Sequence, residues 1–217
     1  MQSFSEIDTT SKSASKAAGF TWGISEEVGK NIRNLEMFGL PGVKNLNLYL
    51  HKIKKNPTEK PRKIEKENKP QSKEFCPIYC GAVFLDNCKM LETFKSIKFY
   101  NVSFPLLLLP FLSRASDLAG KRISVQYEEN NFLLNFDKTI FSKNIKSDKI
   151  VVLAKEVSIE FLEKDKLLGK ILEDAINNLP ERCKAIFKMS RMEGYSNDEI
   201  AQSLNISKRS VENQISI

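Results

Sequence analysis

The sequence predicts an α+β chain: an N-terminal helical pair, a mainly antiparallel β body, and a small three-helix unit at its C-terminal end. Three observations carry this. Apolar residues recur at helical spacing in the first forty positions, short apolar runs and alternations fill 75–164, and from about Leu167 helical spacing returns without strand-like alternation. The expected organisation is an α+β domain over 1–165 and a three-helix domain over 166–217, with a basic linker or loop at 52–73.

The second helix of the pair is expected to start near Thr21 or Ser25, with Val28, Ile32 and Leu35 on one face and Gly39 and Pro41 ending it. Trp22 is expected to anchor the buried side, and Glu26 and Lys30 to form a helix-surface pair worth about 0.2 to 0.5 kcal/mol. Between Lys52 and Lys73 lie nine basic and three acidic residues, three prolines, and only Ile53 and Ile64 as large apolar side chains. So little apolar surface predicts a solvated linker. The body then follows: the apolar run Phe104–Leu112, the alternation Ile123, Val125, Tyr127, a turn at Glu-Glu-Asn-Asn, and Phe132 to Phe136. Strand-like runs at Ile150–Leu153 and Val157–Leu162 complete it.

In the C-terminal segment Pro180 suits a helix start and Gly194 a left-handed stop, with Cys183, Ile186, Phe187 and Met192 forming the apolar stripe between them. Ser196-Asn-Asp-Glu199 reads as a capping box, and Ile200, Ala201 and Leu204 as the inner face of the helix that it opens. Asn205 tolerates a left-handed turn, Ile206 plugs the angle, and Ser207 caps a third helix whose Val211 and Ile215 face inward. This is the spacing of a helix-turn-helix. The outward set is Lys208, Arg209, Ser210, Glu212, Asn213 and Gln214. Arg pairs with guanine, Asn or Gln with adenine, Glu accepts from cytosine, and Ser and Lys hold phosphates, so Ser207 to Gln214 form a candidate DNA-reading surface.

Leu179-Pro-Glu-Arg-Cys-Lys-Ala-Ile-Phe, Glu193-Gly-Tyr-Ser-Asn-Asp-Glu-Ile-Ala-Gln-Ser-Leu-Asn-Ile-Ser and Ser210-Val-Glu-Asn-Gln-Ile resemble region 4 of extracytoplasmic-function sigma factors. The resemblance implies reading of a −35 promoter element by the third helix and contact with RNA polymerase. No stretch resembles region 2, so a complete sigma factor is not expected. Residues 171–217 carry six basic and seven acidic side chains, which predicts weak unaided affinity for a polyanion. A second resemblance runs over residues 3 to 160: Ser15-Lys-Ala-Ala-Gly-Phe-Thr-Trp-Gly-Ile-Ser-Glu-Glu-Val-Gly-Lys30, Gly39-Leu-Pro-Gly42, Phe75-Cys-Pro-Ile and Pro105 to Ala115 are similar to a bacterial domain of unknown function. It implies a domain but no chemistry.

Other chemistries find little support. Gly23 to Asn31 has the outline of a phosphate loop, but with five residues between its glycines and Asn where a magnesium-binding hydroxyl belongs. Cys76, Cys80 and Cys88 lack the paired spacing of a zinc site, Cys183 reads as core, and a single His51 supports no catalytic triad. No catalytic residue, metal or cofactor is therefore expected, and the chain leans away from enzymes. The nine-residue run Phe104–Leu112 falls short of the roughly 20 residues of a membrane helix, and the N-terminus lacks a secretory signal. A cytoplasmic, transcription-associated protein follows, with double-stranded DNA and RNA polymerase as partners, no membrane, and homo-oligomerisation through the N-terminal domain as a further expectation. The alternative is an accessory or interaction protein whose body does the work, its helical tail an appendage or a product of gene fusion.

Overall fold

The computed structural model describes residues 3–134, 140–143, 150–162, 180–191 and 195–215. The chain divides into two compact units, Met1–Glu163 and Lys164–Ile217. The expected boundary at 165–170, Phe136, Met192 and Gly194 lie outside the described residues, as do the side chains of Phe187 and Ile215.

The first unit is α+β. Its helices are α1 (Phe4–Ala17), α2 (Trp22–Met37), α3 (Gly42–Lys55), α4 (Pro77–Asp86), α5 (Cys88–Leu91) and α6 (Leu109–Ala119), the last preceded by a 3-10 turn at Pro105–Leu108. Its strands are β1 (Glu67–Asn68), β2 (Ser96–Ser103), β3 (Arg122–Tyr127), β4 (Asn130–Leu134), β5 (Ile140–Lys143) and β6 (Leu153–Leu162). They form one sheet in the order β1-β2-β6-β3-β4-β5, antiparallel throughout except for the short β1–β2 pair. Ile97 and Phe99 on β2, Ile123 and Val125 on β3, and Val157 and Ile159 on β6 recur with period two and are buried. They share one core with Phe84 of α4 and with Phe111, Leu112 and Ala115 of α6.

The expected helical pair, α1 and α2, fills the first forty residues, and a third helix, α3, follows it. A capping box starts α1: Ser3 Oγ accepts from the Glu6 N–H while the Ser3 N–H donates to the Glu6 carboxylate. Gly19 stops it at φ 96°, letting the Phe20 N–H reach back to the Ser15 carbonyl and turning Phe20 inward. Along α2, Val28, Ile32 and Leu35 are buried as their spacing predicts, and Gly29 lies so close to α1 that an added Cβ would sit 2.6 Å from the Asp8 carboxylate. Two expectations for α2 fail. Trp22 is 58% exposed, because six residues before Val28 at 100° each place it well off the buried stripe. Lys12 of α1 pairs with Glu26 and covers the Trp22 ring, so Lys30 turns to Glu27 instead. Residues 23–31 are helical, not a phosphate-binding loop.

Of the two expectations for the basic segment, it is a loop of the first unit and not a linker between units. Its first residues finish α3, and the rest folds along the β2 edge, where Ile64 and Asn68 are buried. Asn68 Nδ2 donates to the carbonyls of Glu65 and Lys98, fastening the segment to the sheet. Glu59 supplies the second fastening: its carboxylate accepts the N–H groups of Gln71, Ser72 and Lys73 at 2.8–3.0 Å, together with the Ser72 hydroxyl. Backbone donation from Gln71 and Ser72 holds its carboxyl below the ordinary glutamate range. A carboxylate with a lowered folded-state pKa stabilises above its unfolded value of about 4.3, and that contribution is lost as the pH falls through the lower folded value. Urea unfolding of Glu59→Gln should therefore show a shallower loss of stability between about pH 5 and 3 than the parent chain; parallel profiles would count against the clamp.

The apolar run 104–112 is helical rather than a strand. Pro105 and Pro110 each occupy a first helical turn, where a missing N–H costs nothing, and Phe104 turns into the run at φ 43°. The hairpin β3–β4 forms at the expected turn, whereas Ile150 to Val152 precede β6 instead of forming a strand of their own. Cys76, Cys80 and Cys88 are buried free thiols.

Candidate nucleic-acid interface

The second unit contains α7 (Glu181–Arg191), α8 (Asn197–Ser203) and α9 (Lys208–Ile215). Pro180 lends its carbonyl to the Lys184 N–H to start α7, and the Tyr195 N–H returns to the Met189 carbonyl beyond its end. The Ser196–Glu199 capping box opens α8 as its sequence predicts. The Ser196 N–H donates to the Glu199 carboxylate at 2.8 Å, its hydroxyl donates at 2.7 Å, and that hydroxyl oxygen faces the Glu199 N–H. These donors lower the Glu199 pKa, the Ser196 backbone N–H foremost.

The turn into α9 is a Schellman motif. Asn205 takes the left-handed conformation at φ 51°, the Ile206 N–H bonds the Ala201 carbonyl at 2.9 Å, and the Asn205 N–H bonds that of Gln202. Ser207 then caps α9, its Oγ accepting the Ser210 N–H at 3.2 Å. Ile186, Ile200 and Val211, one from each helix, are the buried core, with Met189, Ala201, Leu204 and Ile206 packed around them. Cys183, expected in that core, is only half-buried and stands outside this cluster.

The predicted reading surface starts at this cap. Ser207, Lys208 and Arg209 are exposed, and Ser210 is half-buried. The Ser207 and Ser210 hydroxyls bond each other at 2.8 Å, so both already serve the helix start. Glu212, Asn213 and Gln214 occupy the following positions of α9, their side chains outside the described residues. Two features escape a reading of local motifs. Lys208 Nζ pairs with Asp198 Oδ2 at 2.8 Å, bringing a carboxylate beside the start of α9, and Tyr195 is exposed just before α8. Because Asp198 is ten residues from Lys208, helix spacing does not reveal their pairing.

Among the described residues no group of three or more His, Cys, Asp or Glu side chains is arranged to hold a metal ion, and no helix is long and apolar enough to cross a membrane. Residues 169–216 match the family model described as sigma-70, region 4, and residues 2–77 match that of a protein of unknown function, DUF3726. No curated protein and no solved structure matches the chain.

Proposed function

We propose that the C-terminal unit binds duplex DNA with α9 in the major groove, and that the protein acts in transcription beside RNA polymerase in the cytoplasm. The single observation that carries this is the match to sigma-70 region 4 over a segment whose caps and turn present α9 as the second helix of a helix-turn-helix. Arg209 is the guanine reader, with position 213 one turn further along the same helix. Glu212, Asn213 and Gln214 contact base edges, and Ser207, Lys208 and Ser210 serve the phosphates. With six basic and seven acidic residues over 171–217, shape and base contacts must supply much of the affinity.

That same charge balance favours a second reading, in which the N-terminal unit does the work as an accessory protein. Anisotropy of labelled duplexes with the full chain separates the two. Arg209→Ala should weaken binding by about 1 to 3 kcal/mol with little change in salt slope, whereas undiminished binding would count against base reading by Arg209.

A further inference from the structure

We propose that the N-terminal unit carries a binding site for a small, single-ring aromatic carboxylate, in a pocket between the α1–α2 turn, the second half of α3, residues 57–60 and the start of α4. The pocket has a volume of about 220 Å³. An apolar cavity of about 150 Å³ accommodates benzene, so one ring bearing a carboxylate fits.

Its walls select the ring. Phe20 and Tyr79 stack on each other with centroids 5.5 Å apart, Ile53 extends the apolar surface, and the fully buried Tyr49 backs it. The polar groups then select the charge. Lys54 and Lys60 both line the pocket, and none of its described lining residues is Asp or Glu. Lys60 Nζ stands over the Tyr79 ring, 3.9 Å from its centre, and is exposed, so a carboxylate carried by a ring in the pocket can meet it there. Its neighbour Glu59 cannot neutralise it at this position, because that carboxylate is committed to the 71–73 amides. The N-terminal end of α4, at Cys76 to Tyr79, adds the positive end of a helix dipole.

A chain of hydrogen bonds fixes the inner wall. Tyr49 donates to Cys76 Sγ at 2.8 Å, and the Thr58 hydroxyl meets the Tyr49 oxygen at 3.0 Å. Burial raises the Cys76 pKa and so keeps the sulfur a thiol, leaving the lysines as the charged groups of the site. A few convergent polar groups on an aromatic lining are the usual make-up of a small-molecule pocket. A larger cavity, about 810 Å³, lies on the other side of Pro57 and Thr58, but it lacks aromatic lining and its Lys52 is already bound by Glu74 and Ser103.

The test is a ¹H–¹⁵N titration of the full chain with benzoate, benzamide, benzylamine and inorganic phosphate. Benzoate should give saturable shifts centred on Phe20, Thr58, Lys60 and Tyr79, with benzamide much weaker and benzylamine and phosphate leaving those amides unmoved. Lys60→Gln should weaken benzoate about tenfold, as expected for loss of one charge-assisted hydrogen bond, and Lys63→Gln should leave it unchanged. Both replacements are at exposed positions, and the dispersion of the spectra reports that each variant is folded. Shifts that fail to saturate, equal shifts with phosphate, or full affinity in Lys60→Gln would overturn the proposal. None of these outcomes depends on whether α9 binds DNA.

Discussion

Replacing Val211 with aspartate will dissolve the packing of the C-terminal unit and abolish duplex binding while the N-terminal unit stays folded. Among the described residues the core of that unit is three buried side chains, Ile186, Ile200 and Val211, one from each helix. Removing one leaves a helix with no buried anchor among the described side chains. An aspartate at this point would enter a cluster whose described members, with Met189, Ala201, Leu204 and Ile206 packed against it, are all apolar. Burying an unpaired carboxylate costs more than about 3 kcal/mol, comparable to the whole stability of so small a core. Amide spectra of the full chain should lose the dispersed C-terminal signals and retain those of the sheet, with anisotropy at baseline. Retained C-terminal dispersion would mean that α9 is held by something other than this core.

Phe111→Ala will destabilise the N-terminal unit by about 3 to 5 kcal/mol, the range for deleting a buried aromatic ring. Phe111 is 1% exposed and lies directly on Gly81, where an added Cβ would come within 2.4–2.8 Å of its ring and Cβ. The closeness makes a second effect calculable in sign. Gly81→Ala alone overpacks the α4–α6 contact and should cost about 1 to 3 kcal/mol, but in the Phe111→Ala background the new methyl group enters vacated space. The double variant should therefore be more stable than the sum of the singles by about 0.5 kcal/mol or more in urea unfolding. Strict additivity would show that α4 and α6 separate enough to relieve the contact.

Features written in neighbouring residues were legible. The Ser196–Glu199 box, Asn205 and the Ser207 cap each depend on partners within five residues, and all three form as their spacing implies. The buried stripe of α2 and the β3–β4 hairpin were equally readable, since periodicity records which face is covered. A continuous apolar run carries no such phase, so Phe104–Leu112 is as compatible with a strand as with the helical turns that Pro105 and Pro110 open. Where partners are remote, local composition misled. Nine cations made 52–73 look solvated, yet Glu59 bonds amides 12–14 residues away and Asn68 reaches Lys98, contacts that no local pattern encodes. The size of Trp22 suggested burial without fixing its direction, and its neighbour Lys12 covers it on the surface.

On α9 the exposure of Lys208 and Arg209 was readable from helix geometry, but the Asp198–Lys208 pair was not, because it joins two helices across the turn. That carboxylate lowers the positive potential where α9 begins, so the proposed reading of DNA rests more on Arg209 and the positions after it.

The most direct measurement is selection of bound duplexes from a random library by the full chain, run in parallel with Arg209→Ala at low salt. A reading α9 predicts an enriched motif with a defined guanine for the parent chain, and loss of preference at that one position in the variant. No enrichment by the parent chain, or the same motif from both proteins, would contradict major-groove reading by this helix.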